Sequence, residues 1–300
     1  MVLNSNRSRH FALCIIGIVL LWTLWYLPQQ RTGELAGWPA SPSDHILIDP
    51  GVGVSIPKII HQSWKTEALP KKFVQWSDSW KQHHPTWTYI LWTDDMNRKF
   101  IETSFPWFLD TYDALPKNIN RADASRYFYM YKYGGVYADL DMECLRAMDA
   151  PVVEGGPALI ERGSALISFM GLDTQFEHSL PNAWMASAPG HPFWMFVVNE
   201  IMRAFRRSDA NTTAEELAGP VVLFRTYSNH NDIQGYIYPY SWANAHQIGA
   251  ICSAQSPQFN GSACKLALGA EGKPGQQPYT ITYWSHSWGE QQANSKVLDD

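Results

Sequence analysis

Two aspartates one residue apart, Asp139 and Asp141, have the type and spacing to do chemistry in this 300-residue chain. They follow a short β-type run, Val136-Tyr137-Ala138. Alternation along a strand would point both carboxylates to one side. Two carboxylates side by side repel each other, and a cation between them relieves the repulsion. Oxygen ligands favour a hard divalent ion such as Mn²⁺ or Mg²⁺, and such an ion in turn suits a diphosphate. An isolated Asp-x-Asp is weak evidence, because solvated turns carry it too. Here the surroundings add weight: Asp123 and Arg126 lie just upstream, three residues apart and so on one helix face.

The elements that must position these residues can be read around them. Ile119, Ala122, Tyr127, Met130 and Tyr133 recur at roughly helical spacing, and Gly134-Gly135 stops the helix as a C-terminal cap. Upstream, Ile56–Trp64 reads as a first strand running into a loop. Residues 71–83 read as a helix ended by Pro85, and Tyr89–Trp92 as a second strand. Thr93-Asp94-Asp95 caps the next helix. Helical pieces over 96–104 and 106–115 follow, then 192–207 further on, with a possible strand at 158–160. Helices between short strands predict an α/β layered fold, with ligands gathering beyond the carboxyl ends of the strands. The last alternating stretch, Tyr279 to Trp288, ends in His286-x-Trp288. An ion held by two carboxylates and two phosphate oxygens has room for another ligand. His286 could supply that nitrogen, and Trp288 an indole N–H for a phosphate.

The segment Arg121-Ala122-Asp123, Arg126, Tyr133-x-Gly135-Val136-Tyr137-x-Asp139-x-Asp141 resembles the signature of the DXD-containing glycosyltransferases of family 32. That family includes the yeast-type α-mannosyltransferases and the mannosyl inositol phosphoceramide synthases. The spacing of Asp123, Arg126, Tyr137, Asp139 and Asp141 also resembles the core of the clostridial glucosylating toxins. The resemblance runs from about Ile56 to Trp288. It implies a GT-A-type nucleotide-sugar-binding fold with a mixed central sheet, and a retaining enzyme that makes α-linkages. It also implies contact of Trp64 with the nucleotide base and of Asn182 with the sugar, and it supports the roles given to His286 and Trp288. On this reading Asp139, Asp141 and His286 hold Mn²⁺, with Mg²⁺ as the substitute. Asp139, Asp141 and Arg126 carry catalysis, and Trp64, Asp123, Arg126, Tyr137, Asn182 and Trp288 bind the donor. For Asn182 a turn or cap is the competing role, for Tyr137 simple packing. Gly219-Pro220 matches a Gly-Pro turn of the family.

Arg7, Arg9 and His10 precede an apolar run from Phe11 to Leu27, which is at the lower limit for a membrane-spanning helix. Trp22, Trp25 and Tyr26 near its far end suit an aromatic belt. A cleavable signal peptide fits less well, because ending it at Ala36 puts Glu34 at −3 and ending it at Ala40 puts Trp38 there. The expected order is a cytosolic tail (1–10), a transmembrane signal anchor (11–27) and a stem (28–55). A catalytic domain (56–290) and a short tail (291–300) complete it. Asn211-Thr-Thr and Asn260-Gly-Ser are N-glycosylation acceptors, and Cys252 and Cys264 bracket a loop that a disulfide could close. Cys144 reads as a small buried residue. Together these features predict a single-pass type II membrane protein with a lumenal catalytic domain. The Golgi assignment comes from the resemblance.

A net charge of −5 leaves no footprint for nucleic acid. Fourteen tryptophans suit both a large core and carbohydrate- or lipid-facing surfaces. The expected donor is GDP-mannose, with UDP-galactose or UDP-glucose as the alternative, and the acceptor a glycan or a glycolipid such as inositol phosphoceramide. Two readings of other classes compete: an inactive sugar-binding protein on a transferase fold, and an aspartate-nucleophile phosphohydrolase. The second lacks its usual partners, since Met142-Glu143-Cys144 follows the acidic pair and no later set is convincing.

Overall fold

The computed structural model describes residues 55–149, 165–167, 177, 180–230, 249–252, 256–271 and 279–283. In chain order its elements are β1 (Ile59–Ser63), α1 (Lys71–His83), β2 (Thr88–Trp92), α2 (Asp94–Ser104), α3 (Leu109–Ala114), α4 (Asn118–Lys132), β3 (Gly135–Ala138) and β4 (Met142–Cys144). Then come β5 (Ala165–Ile167), β6 (Trp184–Ser187), α5 (Phe193–Arg207), α6 (Ala214–Leu217), α7 (Pro220–Asn229), α8 (Gly261–Glu271) and β7 (Thr280–Thr282). The expected mixed sheet is present, in the order β2-β1-β3-β6-β5. β2, β1 and β3 run parallel, β6 pairs antiparallel with β3, and β5 pairs antiparallel with β6. β4 and β7 form a separate antiparallel pair. No helix among the described residues is long and apolar enough to cross a membrane, and the run 11–27 lies outside them.

Alternation along the strands sorts the core into two faces. Val136 and Ala138 of β3 pack with Trp80 of α1 and Met142 of β4, whereas Tyr137 joins Tyr129 of α4, Trp92 and the apolar side of α5. α4 differs from the amphipathic helix its spacing predicts. Asp123 through Met130 are all buried, because the helix is enclosed by the sheet and by α5. A helix buried on every side must pair its polar groups internally, and the pairing of Asp123 and Arg126 follows from that requirement. Two other boundaries shift. The predicted helix 96–104 begins at Asp94, with Thr93 Oγ1 accepting from the Met96 N–H as its cap. The stretch 106–115 divides into a 3₁₀ turn, Pro106–Phe108, and α3.

Gly134 and Gly135 end α4 and start β3 with φ of 63° and 90°. Glycine is required by space as well as by conformation. A Cβ on Gly135 would stand 2.6 Å from the Ile59 carbonyl oxygen, and one on Gly134 2.5 Å from that of Ser187. The turn therefore closes directly onto β1 and β6 and fixes where β3 begins.

His61, fully buried in the middle of β1, ties this turn down. Its Nδ1 accepts from the Trp92 indole N–H at 3.0 Å, which leaves Nε2 to carry the proton and donate to the Gly134 carbonyl at 2.9 Å. Burial lowers its pKa to about 4, against the partial offset of the Gly134 bond. The folded state thus excludes the proton that the unfolded chain takes up below about pH 6.5. The stability due to neutral His61 is complete above that pH and is lost as pH falls towards 4, by about 3 kcal/mol. Urea unfolding of His61→Leu and wild type should show a gap at pH 7 that narrows by pH 4. A gap independent of pH would refute this role.

Cys252 and Cys264 form a disulfide with Cα atoms 5.1 Å apart. Both pack beside Phe73, Trp76, Ile281, Tyr283 and Leu140, the residue between the two aspartates. Cys144 is buried and free, as its sequence context predicts, and burial pushes its thiol up to about 12. Replacing both disulfide cysteines by serine should cost about 2–4 kcal/mol. A thermal midpoint equal to wild type would show that the cross-link adds nothing.

Candidate functional site

The acidic pair stands at the carboxyl end of β3, as open α/β sheets place their ligands. One detail differs from expectation. β3 ends at Ala138, and Asp139–Met142 is a turn closed by the Met142 N–H on the Asp139 carbonyl at 3.1 Å. Asp139 continues the alternation of Tyr137, but Asp141 is placed by the turn, not by strand periodicity. The two carboxylates are close enough for each to feel the other's charge.

Asp139 is held from several directions. Its N–H donates to the Ala183 carbonyl at 2.8 Å. Its Oδ1 accepts from Arg126 Nη1 at 2.9 Å and from the Tyr137 hydroxyl at 2.8 Å. Among the described residues Oδ2 takes no bond, and about a third of the side chain remains exposed. One oxygen is thus committed to the fold and the other faces outward. Partial burial pushes the carboxyl up to about 6, with Arg126 opposing and Asp141 adding to the rise.

Beneath Asp139 lies a buried polar floor. Arg126 and Asp123 are each 5 % exposed, and Arg126 Nη2 meets Asp123 Oδ1 at 3.1 Å. Arg126 also donates to the Asn182 carbonyl at 2.9 Å and lies 4.4 Å above the Tyr137 ring. Asn182 Nδ2 donates to Asp123 Oδ1 at 2.9 Å and to the Tyr127 hydroxyl at 3.2 Å. Tyr127 in turn donates to the Ala218 carbonyl at 3.1 Å. Gly219 caps α7, with Pro220 in its first turn, and lies so close to Asp123 that a methyl there would reach Oδ2 at 3.4 Å. Burial raises Asp123 to about 7, against the pull of Arg126. Burial opposes the charge on Arg126, but Asp139, Tyr137 and Asp123 outweigh it and hold the guanidinium charged.

The structure thus brings together Asp123, Arg126, Tyr137, Asp139, Asp141 and Asn182. Tyr137 is buried, with its hydroxyl given to Asp139, and Asn182 has committed its amide N–H groups to Asp123 and Tyr127. Trp64 is half-buried just beyond β1. Its N–H bonds the Trp92 carbonyl at 2.9 Å and its ring packs edge-on to Phe73. His286 and Trp288 lie outside the described residues.

Sequence reasoning missed the residues that pin the acidic turn from outside. Gln62 Nε2 donates to the Asp139 carbonyl at 3.1 Å, the Tyr283 N–H to the Asp141 carbonyl at 3.0 Å, and Trp80 Nε1 to the Met142 carbonyl at 2.8 Å. Glu143 fastens β7 and α8 beside the turn, accepting from Tyr283 at 2.5 Å and from Lys265 at 2.7 Å. The available signal was His61-Gln62, two polar residues that follow Ile59-Ile60 within a strand expected to be buried.

Residues 70–156 match the family described as "Glycosyltransferase sugar-binding region containing DXD motif". This segment belongs to that family. Asp139-Leu140-Asp141 is its DXD. The chain is similar to inositol phosphoceramide mannosyltransferase 3 of Schizosaccharomyces pombe, 43% identical over 170 residues, covering 56% of this chain and 44% of the relative. It is also similar to the mannosyl phosphorylinositol ceramide synthase CSH1 of Saccharomyces cerevisiae, 31% identical over 236 residues, covering 77% and 56%. The chain therefore spans about half the length of these curated relatives. Among solved structures the PaToxG glycosyltransferase superposes with a TM-score of 0.45 at 16% identity, over 71% of this chain and 76% of that one, too distant to bear on the fold.

Proposed function

We propose that the chain is a metal-dependent, retaining glycosyltransferase of GT-A type that moves mannose from GDP-mannose to a glycolipid of the inositol phosphoceramide class or to a glycan. One observation carries this reading. Asp139 is held by Arg126 and Tyr137 through Oδ1 and keeps Oδ2 outward beside Asp141, at the end of a parallel strand. The family match and the names of the relatives supply the sugar and the acceptor class.

The residues present suit a divalent ion. Asp139 turns its uncommitted Oδ2 outward and Asp141 adds a second carboxylate, so the pair offers hard oxygen ligands. No group of three His, Cys, Asp or Glu that could hold a metal occurs among the described residues, so the pair needs ligands from the diphosphate and from elsewhere in the chain. His286 fits that need. It follows Tyr283 by three residues, a chain length of about 10 Å, and Tyr283 bonds the Asp141 backbone. A bound Mn²⁺ or Mg²⁺ would neutralise charge developing on the departing diphosphate. Arg126 holds the Asp139 carboxylate in one orientation. With no protein nucleophile assigned, front-side displacement is the hypothesis, the leaving phosphate oxygen taking the acceptor's proton. An inverted anomeric centre in the product would exclude it.

Trp64 beyond β1 is the proposed base contact and Trp288 a phosphate donor. Asp123, Arg126, Tyr137 and Asn182 form the donor subsite, largely as its floor. The disulfide supports an oxidising compartment, in keeping with a lumenal, type II Golgi protein anchored by residues 11–27. Incubating the chain with Mn²⁺ and a panel of nucleotide sugars, with released nucleoside diphosphate as readout, tests the assignment. Turnover of GDP-mannose that rises with inositol phosphoceramide is the expected result. Turnover of UDP-galactose or UDP-glucose alone would overturn the mannosyl assignment and keep the class.

A further inference from the structure

β1 and β3 share a short ladder, Ile60 with Val136 and His61 with Tyr137. Two adjacent β1 side chains extend it beyond both ends. On one face of the sheet His61 donates to the carbonyl of Gly134, just before β3. On the other face Gln62 donates to the carbonyl of Asp139, just after β3. Both side chains are fully buried. The pair brackets β3 and sets where its last peptide, and therefore the DXD turn, must lie.

The Gln62 arm has a longer backing than that of His61, whose Nδ1 takes only the Trp92 indole N–H. The Tyr89 hydroxyl donates to Gln62 Oε1 at 2.8 Å, and with that proton committed, Ser77 Oγ at 2.7 Å must donate to Tyr89. The amide orientation follows from its partners, because the Asp139 carbonyl can only accept and so faces Nε2. All three donors in the chain Ser77, Tyr89, Gln62 point toward Asp139, and aligned hydrogen bonds polarise one another. The relay runs from α1 through β2 and β1 into the peptide that joins Asp139 to Leu140.

We propose that Gln62 is a positioning residue for the metal-binding turn, acting through the Asp139 carbonyl, with Tyr89 and Ser77 as its support. The proposal rests on the metal-dependent reading above. Asp139 has its N–H on Ala183 and its carboxylate oriented by Arg126 and Tyr137, so what Gln62 adds is the plane of the next peptide, which leads to Asp141 and sets where the second carboxylate stands. Without Gln62 that carbonyl keeps only the Met142 N–H of the turn itself. The turn keeps its bonds from Tyr283 and Trp80, but the peptide between Asp139 and Leu140 loses its only anchor outside the turn among the described residues, and the spacing of the Asp139 and Asp141 carboxylates is held less tightly.

The test is Mn²⁺ binding to the full chain in the presence of GDP, followed by the electron paramagnetic resonance of free Mn²⁺. Gln62→Met keeps the volume and removes both hydrogen bonds. It should weaken Mn²⁺ binding about tenfold, the lower range for residues that orient metal ligands. Tyr89→Phe, on the edge strand, should weaken it by a smaller factor in the same direction. His61→Leu, which cuts the arm at the far end of β3, should lower the thermal midpoint and leave Mn²⁺ binding near wild type. Gln62→Met with wild-type Mn²⁺ affinity overturns the proposal, whatever its melting temperature. So does an equal loss in His61→Leu, which would mean general loosening of the strand. If Gln62→Met does not fold, Tyr89→Phe decides, and wild-type binding there is a refutation. A wild-type chain that binds no Mn²⁺ with GDP removes the metal-dependent reading and this inference together, an outcome distinct from loss in the variants alone.

Discussion

Arg126→Met will unfold about 3–5 kcal/mol more easily than wild type at pH 7.5. Arg126 bonds both Asp123 and Asp139 and is itself buried, so its removal leaves the buried Asp123 and the part-exposed Asp139 without their cation. Burying an unpaired charge is costly, and the group escapes by binding a proton. Asp123 is already raised to about 7 with Arg126 in place, so in the variant it will be protonated across a wider range. The penalty should therefore shrink on acidification to pH 5, where Asp123 is neutral in both proteins. Adding Asp123→Asn should restore part of the loss at pH 7.5, because the amide takes the place of the uncompensated charge. Urea unfolding of the single and double variants at the two pH values measures all of this. A loss below about 1 kcal/mol would show that the pair behaves as a solvated surface bridge.

Asp141→Ala should lower metal-dependent turnover of the nucleotide sugar by about 10³-fold, the scale of losing electrostatic stabilisation of a leaving group. The side chain lies partly exposed on the turn, and the fold holds this residue by its backbone carbonyl through Tyr283. The variant should therefore unfold within about 0.5 kcal/mol of wild type. Asp139→Asn differs in the second respect. It should also lose turnover, but it takes the negative charge from the bonds donated by Arg126 and Tyr137 and will disturb stability as well. Steady-state release of nucleoside diphosphate against Mn²⁺ concentration, paired with thermal melting, separates the two. Full turnover in Asp141→Ala would remove the acidic pair from catalysis.

The sequence by itself determined the local pieces. Short β-type runs marked β1, β2 and β3, and the Gly134-Gly135 break marked the end of α4. Thr93 marked a helix cap, and the spacing of Asp123, Arg126, Asp139 and Asp141 marked a candidate site. These are short-range signals: strand alternation, cap chemistry and residue spacing act within a few positions. Only the tertiary structure decided which oxygen of Asp139 is committed and which faces outward, because that depends on Arg126 and Tyr137 meeting it across the end of β3. It also showed Asp123 and Asn182 as the buried floor of the site, where reading them as surface ligands would have been equally natural. The helix carrying Asp123 and Arg126 is enclosed on every side, which spacing along the chain cannot reveal. The role of Gln62 was hidden for the same reason. Its partners are a tyrosine 27 residues later and a carbonyl 77 residues later, and only the packing of α1, β2 and β3 around β1 brings them to one side chain.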